Sequence, residues 1–87
     1  MRFPNKLIDE VWNCGVDFAQ QLAAGETVVS AAATVRGGTI TVANVSASGS
    51  VALFQVSGGV AGWASIEVSV TTSSSEVLGE LATFEIV

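Results

Sequence analysis

The sequence predicts an all-β fold, either a single antiparallel β-sandwich or a barrel. From Glu26 onward, apolar and polar residues alternate with a period of two, and β-branched residues are frequent. This pattern is typical of strands that bury one face. Short segments rich in glycine and serine interrupt the pattern, as turns between antiparallel strands do. Since 87 residues allow one hydrophobic core, we expect one domain.

The first element, which runs from Val11 to about Leu22, fits two patterns. A helix would place one set of apolar residues on a common face, and a strand would place another set there. The helical set is Leu7, Val11, Phe18 and Leu22, and the strand set is Trp12, Cys14, Val16 and Phe18. Gly15 inside a helix would cost roughly 0.5–1 kcal/mol relative to alanine. A lone helix would also have to cover a whole sheet face, so we predict a strand here, followed by a turn at residues 23–26.

Five further strands are predicted between turns. They cover residues 27–35, 39–45, 50–56, 64–72 and 81–87. The third of these is apolar on both faces, which favours a central position in a sheet. The last two alternate cleanly, and this alternation predicts which side chains face the core. The predicted core residues are Ile66, Val68, Val70, Ala82, Phe84 and Ile86.

Composition and charge argue against several classes of function. The chain carries three basic and eight acidic residues, a net charge of −5, so we expect no binding to nucleic acid or to anionic membrane. No apolar run is long enough to span a membrane, and no secretion signal is visible. A single cysteine fits synthesis in a reducing cytoplasm. Apolar residues make up 49% of the chain and charged residues 13%, which suits a surface covered by neighbouring subunits.

We predict no catalytic residue, no metal site and no cofactor. Cys14 has no histidine to activate it, because the sequence contains none, and it is better explained as a small buried residue. The eight carboxylates lack the spacing of a calcium loop. The glycine-rich stretch at residues 57–63 precedes a strand, whereas a phosphate-binding loop precedes a helix.

Two places are predicted to contact a partner. Residues 1–8 form a locally basic arm that precedes a β-sandwich domain at residues 9–87, and this arm would either reach a neighbouring, acidic protein or be a frayed, solvated terminus. The second place is an aromatic residue at the end of the glycine-rich stretch, which would either cap the core or lie in an interface. The predicted interface residues are Phe3, Pro4, Lys6, Asp9, Glu10 and Trp63.

Two motifs resemble a known family. The stretch DEVWNCGVDF at residues 9–18 is followed by GETV at 25–28, and SGGVAG at 57–62 leads into an alternating strand. The order and content of these motifs resemble small immunoglobulin-like structural proteins of tailed bacteriophages, described as fibre-tail adaptors. The resemblance implies an antiparallel β-sandwich of the immunoglobulin or fibronectin-III type, with about six or seven strands.

The resemblance also implies a function. The protein is expected to be a non-enzymatic virion component, made in the host cytoplasm, that attaches a fibre or accessory protein to the tail or neck. Its partners would be tail, neck, fibre or capsid subunits, bound by several copies in a symmetric particle. A capsid decoration protein is one alternative. A carbohydrate-binding or cell-surface-binding module is another, and it requires Trp12 and Trp63 to be exposed on one face.

Overall fold

A computed structural model describes residues 2–87 and shows an all-β protein. Six strands and one short 3₁₀ turn account for its regular structure. The strands are β1 (Trp12–Asp17), β2 (Val28–Gly37), β3 (Ile40–Ser48), β4 (Val51–Gly58), β5 (Gly62–Thr72) and β6 (Val77–Ile86), with the 3₁₀ turn at Ala19–Gln21. The predicted fold class is confirmed, and the number of strands lies in the expected range.

Two antiparallel sheets of three strands each form the sandwich. One sheet has the order β1-β4-β3 and the other has the order β2-β5-β6. Immunoglobulin constant-type domains have the sheets A-B-E-D and C-F-G. The six strands therefore correspond in order to B through G, and within residues 2–87 no strand occupies the position of A. β4 is the central strand of its sheet, as its doubly apolar pattern predicts.

The core lies between the two sheets and is built from alternate residues of every strand. All six residues that the alternation assigns to the core are buried. Phe18, Phe54 and Phe84 supply the largest apolar volume, and each is at most 3% exposed. Burial of about 25 cal/mol per Å² of apolar surface makes these aromatic residues the main source of stability. Aliphatic residues from both sheets complete the core: Val16, Val28, Ile40, Ala52, Val56 and Ala64.

The first element is a strand, as predicted, but it is shorter than predicted. β1 ends at Asp17, and the chain then turns through the 3₁₀ segment rather than continuing to Leu22. The Asp17 carboxylate accepts a hydrogen bond from the Ala19 N–H at 2.9 Å, and such a local bond favours a turn over a strand. Phe18 is buried, whereas Trp12 and Cys14 face the core and are only half-buried.

Two other strands differ from their predicted bounds by three residues or more, and the remaining three differ by one or two. β6 begins at Val77, four residues before the predicted start, because residues 77–80 pair with the end of β5. β3 continues past residue 45 to Ser48, and its register against β4 shifts between Ala43 and Ser46. Asn44 adopts a φ of 55° there, as expected for a bulge in an edge strand.

The N-terminal residues lie along β6, in the second sheet. The Phe3 N–H donates to the Thr83 carbonyl at 2.8 Å, and the Lys6 N–H donates to the Glu85 carbonyl at 2.9 Å. These hydrogen bonds accompany two parallel β-bridges, one between Arg2 and Thr83 and one between Lys6 and Ile86. We call residues 2–8 the arm; Met1, which belongs to the predicted arm, lies outside the described residues.

Candidate partner-binding surface

The arm covers the gap between β1 of one sheet and β6 of the other, which we call the seam. The Phe3 ring lies 6.5 Å from the Trp12 ring in an edge-to-face arrangement, and it lies 6.4 Å from the ring of Phe54 and 6.2 Å from that of Phe84. These partners belong to β1, β4 and β6, so one side chain joins both sheets. Aromatic pairs at these separations contribute about 0.5–1.5 kcal/mol beyond burial. Phe3 therefore holds the arm on the sandwich.

Lys6 is the central residue at the end of the sandwich where β4 ends and β5 begins. Its side chain is 0% exposed, and its ammonium donates to the carbonyls of Leu7 at 2.9 Å, Ile8 at 3.1 Å and Gly58 at 3.1 Å. A buried ammonium is tolerated only when its three donors are satisfied. These bonds tie the loop after the arm to the loop after β4.

This position of Lys6 corrects its predicted role. The sequence predicts a cation that reaches an acidic partner, but the ammonium is enclosed by carbonyl groups of its own chain. A side chain with no exposed surface does not contact a neighbouring protein. We therefore assign Lys6 to the internal structure of this end and remove it from the proposed interface.

Four exposed apolar residues lie near this lysine in the chain or near a carbonyl that it binds. Leu7 and Ile8 follow Lys6 directly, Val11 follows the turn closed by the Glu10 N–H and the Leu7 carbonyl, and Val60 lies two residues after Gly58. All four are exposed, Val60 to 63%. We call Leu7, Ile8, Val11 and Val60 the apolar end. Exposed apolar residues gathered in one place mark a binding surface more often than scattered ones do.

The other predicted residues of the arm region lie at the border of the apolar end. Pro4 is exposed and, with Phe3, lines one wall of a shallow groove along β1. Asp9 and Glu10 are exposed in the turn, where a Glu10 carboxylate oxygen accepts from the Leu7 N–H at 2.7 Å. The predicted residues other than Lys6 and Trp63 are thus brought together around one end of the sandwich.

Trp63 lies apart from this border, on the outer face of the second sheet. It is 61% exposed, and the Arg2 guanidinium lies 4.8 Å from the centre of its ring. Trp12 faces the opposite way, into the seam, with its ring 5.4 Å from that of Phe84. The two indoles do not share an exposed face, so the arrangement required for a carbohydrate platform is not present.

The metal-ligating side chains and the Cys14 thiol are the chemical groups considered in the sequence analysis. Within residues 2–87, no group of three metal-ligating side chains converges, and no helix is long and apolar enough to cross a membrane. Burial raises the pKa of the Cys14 thiol, which disfavours the reactive thiolate. The thiol packs against the core, as the sequence predicts.

The opposite end of the sandwich is closed by polar groups. Glu26 accepts from the Ala23 N–H at 2.8 Å and from the Thr72 hydroxyl at 3.1 Å, and it also accepts from the Ser74 hydroxyl. These bonds, with Ser74 contributing most, lower the pKa of the Glu26 carboxyl. The Ala19 amide and then the Ser50 hydroxyl lower the pKa of Asp17 in the same way. The polar groups of these loops are therefore satisfied by hydrogen bonds to one another. We call this end, with Asp17 and Glu26, the polar end.

Sequence reasoning missed the apolar end. Leu7, Ile8, Val11 and Val60 lie in turns, where no period of two or 3.6 distinguishes inward from outward positions. One signal was available: Leu7 and Ile8 are consecutive apolar residues next to a charged pair, outside any alternating pattern. Two large apolar residues in a turn are unusual because turns lie on the surface.

The fold and this surface define a class of protein: a small immunoglobulin-like β-sandwich with a polar end, an apolar end and a strand edge flanked by a groove. A family model described as "Podophage GP4 fiber-tail adaptor protein gp77" matches residues 6–84. The chain belongs to this family of phage fibre-tail adaptors. No curated protein matches the chain.

Proposed function

We propose that this chain is a non-enzymatic structural adaptor of the virion that attaches a fibre or accessory protein to the tail or neck. Membership of the fibre-tail adaptor family supports a tail-attached component. The observation that carries the finer proposal is the apolar end, which presents four exposed aliphatic side chains on loops fixed by Lys6. A rigid apolar surface binds a partner with little loss of conformational entropy.

The proposed interface has an apolar centre and a polar border. The apolar end supplies the centre, and Pro4, Asp9 and Glu10 supply the border, which is the usual arrangement of protein interfaces. Trp63, with Arg2 over its ring, is a second contact on the outer face of β5. Several copies in a symmetric particle would hold a fibre through contacts that are individually weak.

A matched pair of double variants tests this proposal. Leu7→Ser with Val60→Ser removes two side chains of the apolar end, and Val29→Ser with Val77→Ser removes two side chains that are equally exposed near the polar end. Each double variant replaces the wild-type gene in the phage, and mass spectrometry and electron microscopy count adaptor and fibre copies per particle. We expect loss of the adaptor and fibre only for the first double variant.

Three results would contradict the proposal. Particles that carry fibres normally after deletion of the gene would show that the protein is not an adaptor. Density for the protein on the head, with none at the tail, would make it a capsid decoration protein. Equal incorporation of the two double variants, with both folded by circular dichroism, would remove the apolar end from the interface.

A further inference from the structure

The outer edge of β1 is open. In immunoglobulin constant-type sheets, strand A lies beside strand B, and β1 occupies the position of B. The segment that precedes β1 in this chain is the arm, but the arm pairs with β6 in the other sheet. Within residues 2–87, β1 is hydrogen-bonded to β4 alone. The position of a fourth strand in this sheet is therefore vacant.

The register shows which backbone groups point toward this vacant position. The Phe18 N–H donates to the Ser50 carbonyl at 2.8 Å, and the register of β1 against β4 continues from this pair without a shift. Bonding groups alternate from side to side in an antiparallel strand. The even-numbered residues of β1 therefore bond to β4, and the N–H and C=O groups of Asn13 and Gly15 point outward.

A groove runs along this edge and has space for side chains of an added strand. It measures about 500 Å³ and lies between Phe3 and Pro4 of the arm on one side and residues 11–15 on the other. Gly15 lies at the centre of the edge, where a Cβ would meet the side chains of Val51 and Leu53 of β4 at 3.2 and 3.3 Å, so its lack of a side chain serves packing within the sheet. The edge thus combines unpaired backbone groups with an apolar wall.

Charge indicates what kind of segment fits. Asp9 and Glu10 lie before β1 and Asp17 lies at its end, so carboxylates flank the edge on both sides. A second copy of the chain would bring the same carboxylates to the same place. It would also offer few cations to pair with them, because its three basic residues already make contacts within their own chain. Arg2 bonds to Asn5 and covers Trp63, Lys6 is buried, and Arg36 pairs with Glu67 at 2.9 Å.

We propose that the edge of β1 receives an extended segment of a different virion protein, one that alternates apolar and polar residues and carries lysine or arginine at its ends. The segment adds a fourth strand to the β1-β4-β3 sheet, with its apolar side chains in the groove. Backbone bonds to Asn13 and Gly15 give affinity, and the groove and the acidic flanks give specificity. This inference rests on the proposed adaptor function and names the partner segment it would bind.

Two substitutions at Asn13 test the proposal. Asn13→Pro removes an outward N–H that β4 does not use, and proline is tolerated at such edge positions. Asn13→Ala removes the same side chain, including its bond to Gln55, and keeps the N–H. We expect Asn13→Pro to weaken binding to the tail about tenfold relative to Asn13→Ala, the effect of one lost hydrogen bond, and to lower the number of copies per particle.

Hydrogen exchange of the wild-type protein gives a second measurement that needs no variant. Peptides covering residues 12–18 are compared between the isolated protein and purified tails. Added protection of the Asn13 and Gly15 amides in tails is expected. Equal exchange in the two samples would overturn the strand addition, even if Asn13→Pro proves to be unfolded by circular dichroism.

The remaining outcomes separate this inference from the proposed function. Absence of the wild-type protein from tails overturns the adaptor function itself. Normal incorporation of Asn13→Pro overturns only the strand addition and leaves the adaptor function in place. A dimer of the isolated protein that Asn13→Pro dissociates would identify a second copy as the occupant and overturn the basic partner segment.

Discussion

The two ends of the sandwich use ionisable groups in opposite ways. At the apolar end, a buried ammonium donates to three loop carbonyls, and the side chains around it are aliphatic and exposed. At the polar end, the exposed carboxylates of Asp17 and Glu26 accept from amides and hydroxyls of the same loops. The polar end satisfies the polar groups of its loops internally, and the apolar end places aliphatic side chains on loops that Lys6 fixes. This difference supports the proposal that the apolar end contacts the partner.

The largest expected effect comes from removing the central group of the apolar end. Lys6→Met keeps a long apolar side chain but removes the ammonium that donates to the carbonyls of Leu7, Ile8 and Gly58, so we expect a loss of about 3 kcal/mol in the free energy of unfolding. Urea denaturation followed by circular dichroism measures it. Arg36→Met is the matched control, because the Arg36–Glu67 pair is exposed and contributes at most about 1 kcal/mol. Similar losses for the two variants would show that the Lys6 bonds are not needed.

The next effect tests whether the arm is part of the fold. Phe3→Ala removes the ring that joins Trp12 and Phe84 across the seam, and a half-buried aromatic residue truncated in this way should cost about 2 kcal/mol. Trp12 emission should also shift to longer wavelength as water enters the seam. Phe3→Leu, which keeps most of the apolar volume, should lose less than half as much. Unchanged emission and unchanged stability in Phe3→Ala would mean that the arm is detached in solution.

The third effect separates the ends by pH. The pKa values of Asp17 and Glu26 are lower in the folded state, so the stability they contribute is present above their unfolded pKa values, near pH 4, and is lost as the pH falls through the folded values. Unfolding should therefore become easier below about pH 4. In Asp17→Asn with Glu26→Gln, the stability should depend less on pH over this range. Parallel curves for the variant and the wild type would assign the acid sensitivity to other carboxyl groups.

The smallest expected effect lies in exposed valines. Val60→Ser at the apolar end and Val77→Ser near the polar end replace residues that are 63% and 71% exposed. Each should change the free energy of unfolding by less than about 0.5 kcal/mol. Thermal unfolding checks this, and it ensures that any loss of particle incorporation reflects binding. A large loss for Val60→Ser would mean that this side chain packs within the chain.

Alternation explains why most of the fold was predictable and the apolar end was not. Ile66, Val68 and Val70 reveal their burial locally, because a period of two assigns each side chain to one face of the sheet. The burial of Lys6 depends on the Gly58 carbonyl, which is 52 residues away, and no local pattern records that contact. The 3₁₀ turn after Asp17 depends on one side-chain bond. Predicted positions therefore hold where the signal repeats along a strand and fail where loops from distant segments meet.

The pairing of the arm with β6 has a consequence for the order of folding. The bond from the Phe3 N–H to the Thr83 carbonyl joins residues near opposite ends of the chain, and closing so large a loop is entropically expensive until the strands between them are in place. The seam therefore closes late. Until it closes, a nascent subunit exposes Trp12 and one side of Phe84, so the newly made protein passes through a stage that is more prone to aggregate than the finished one.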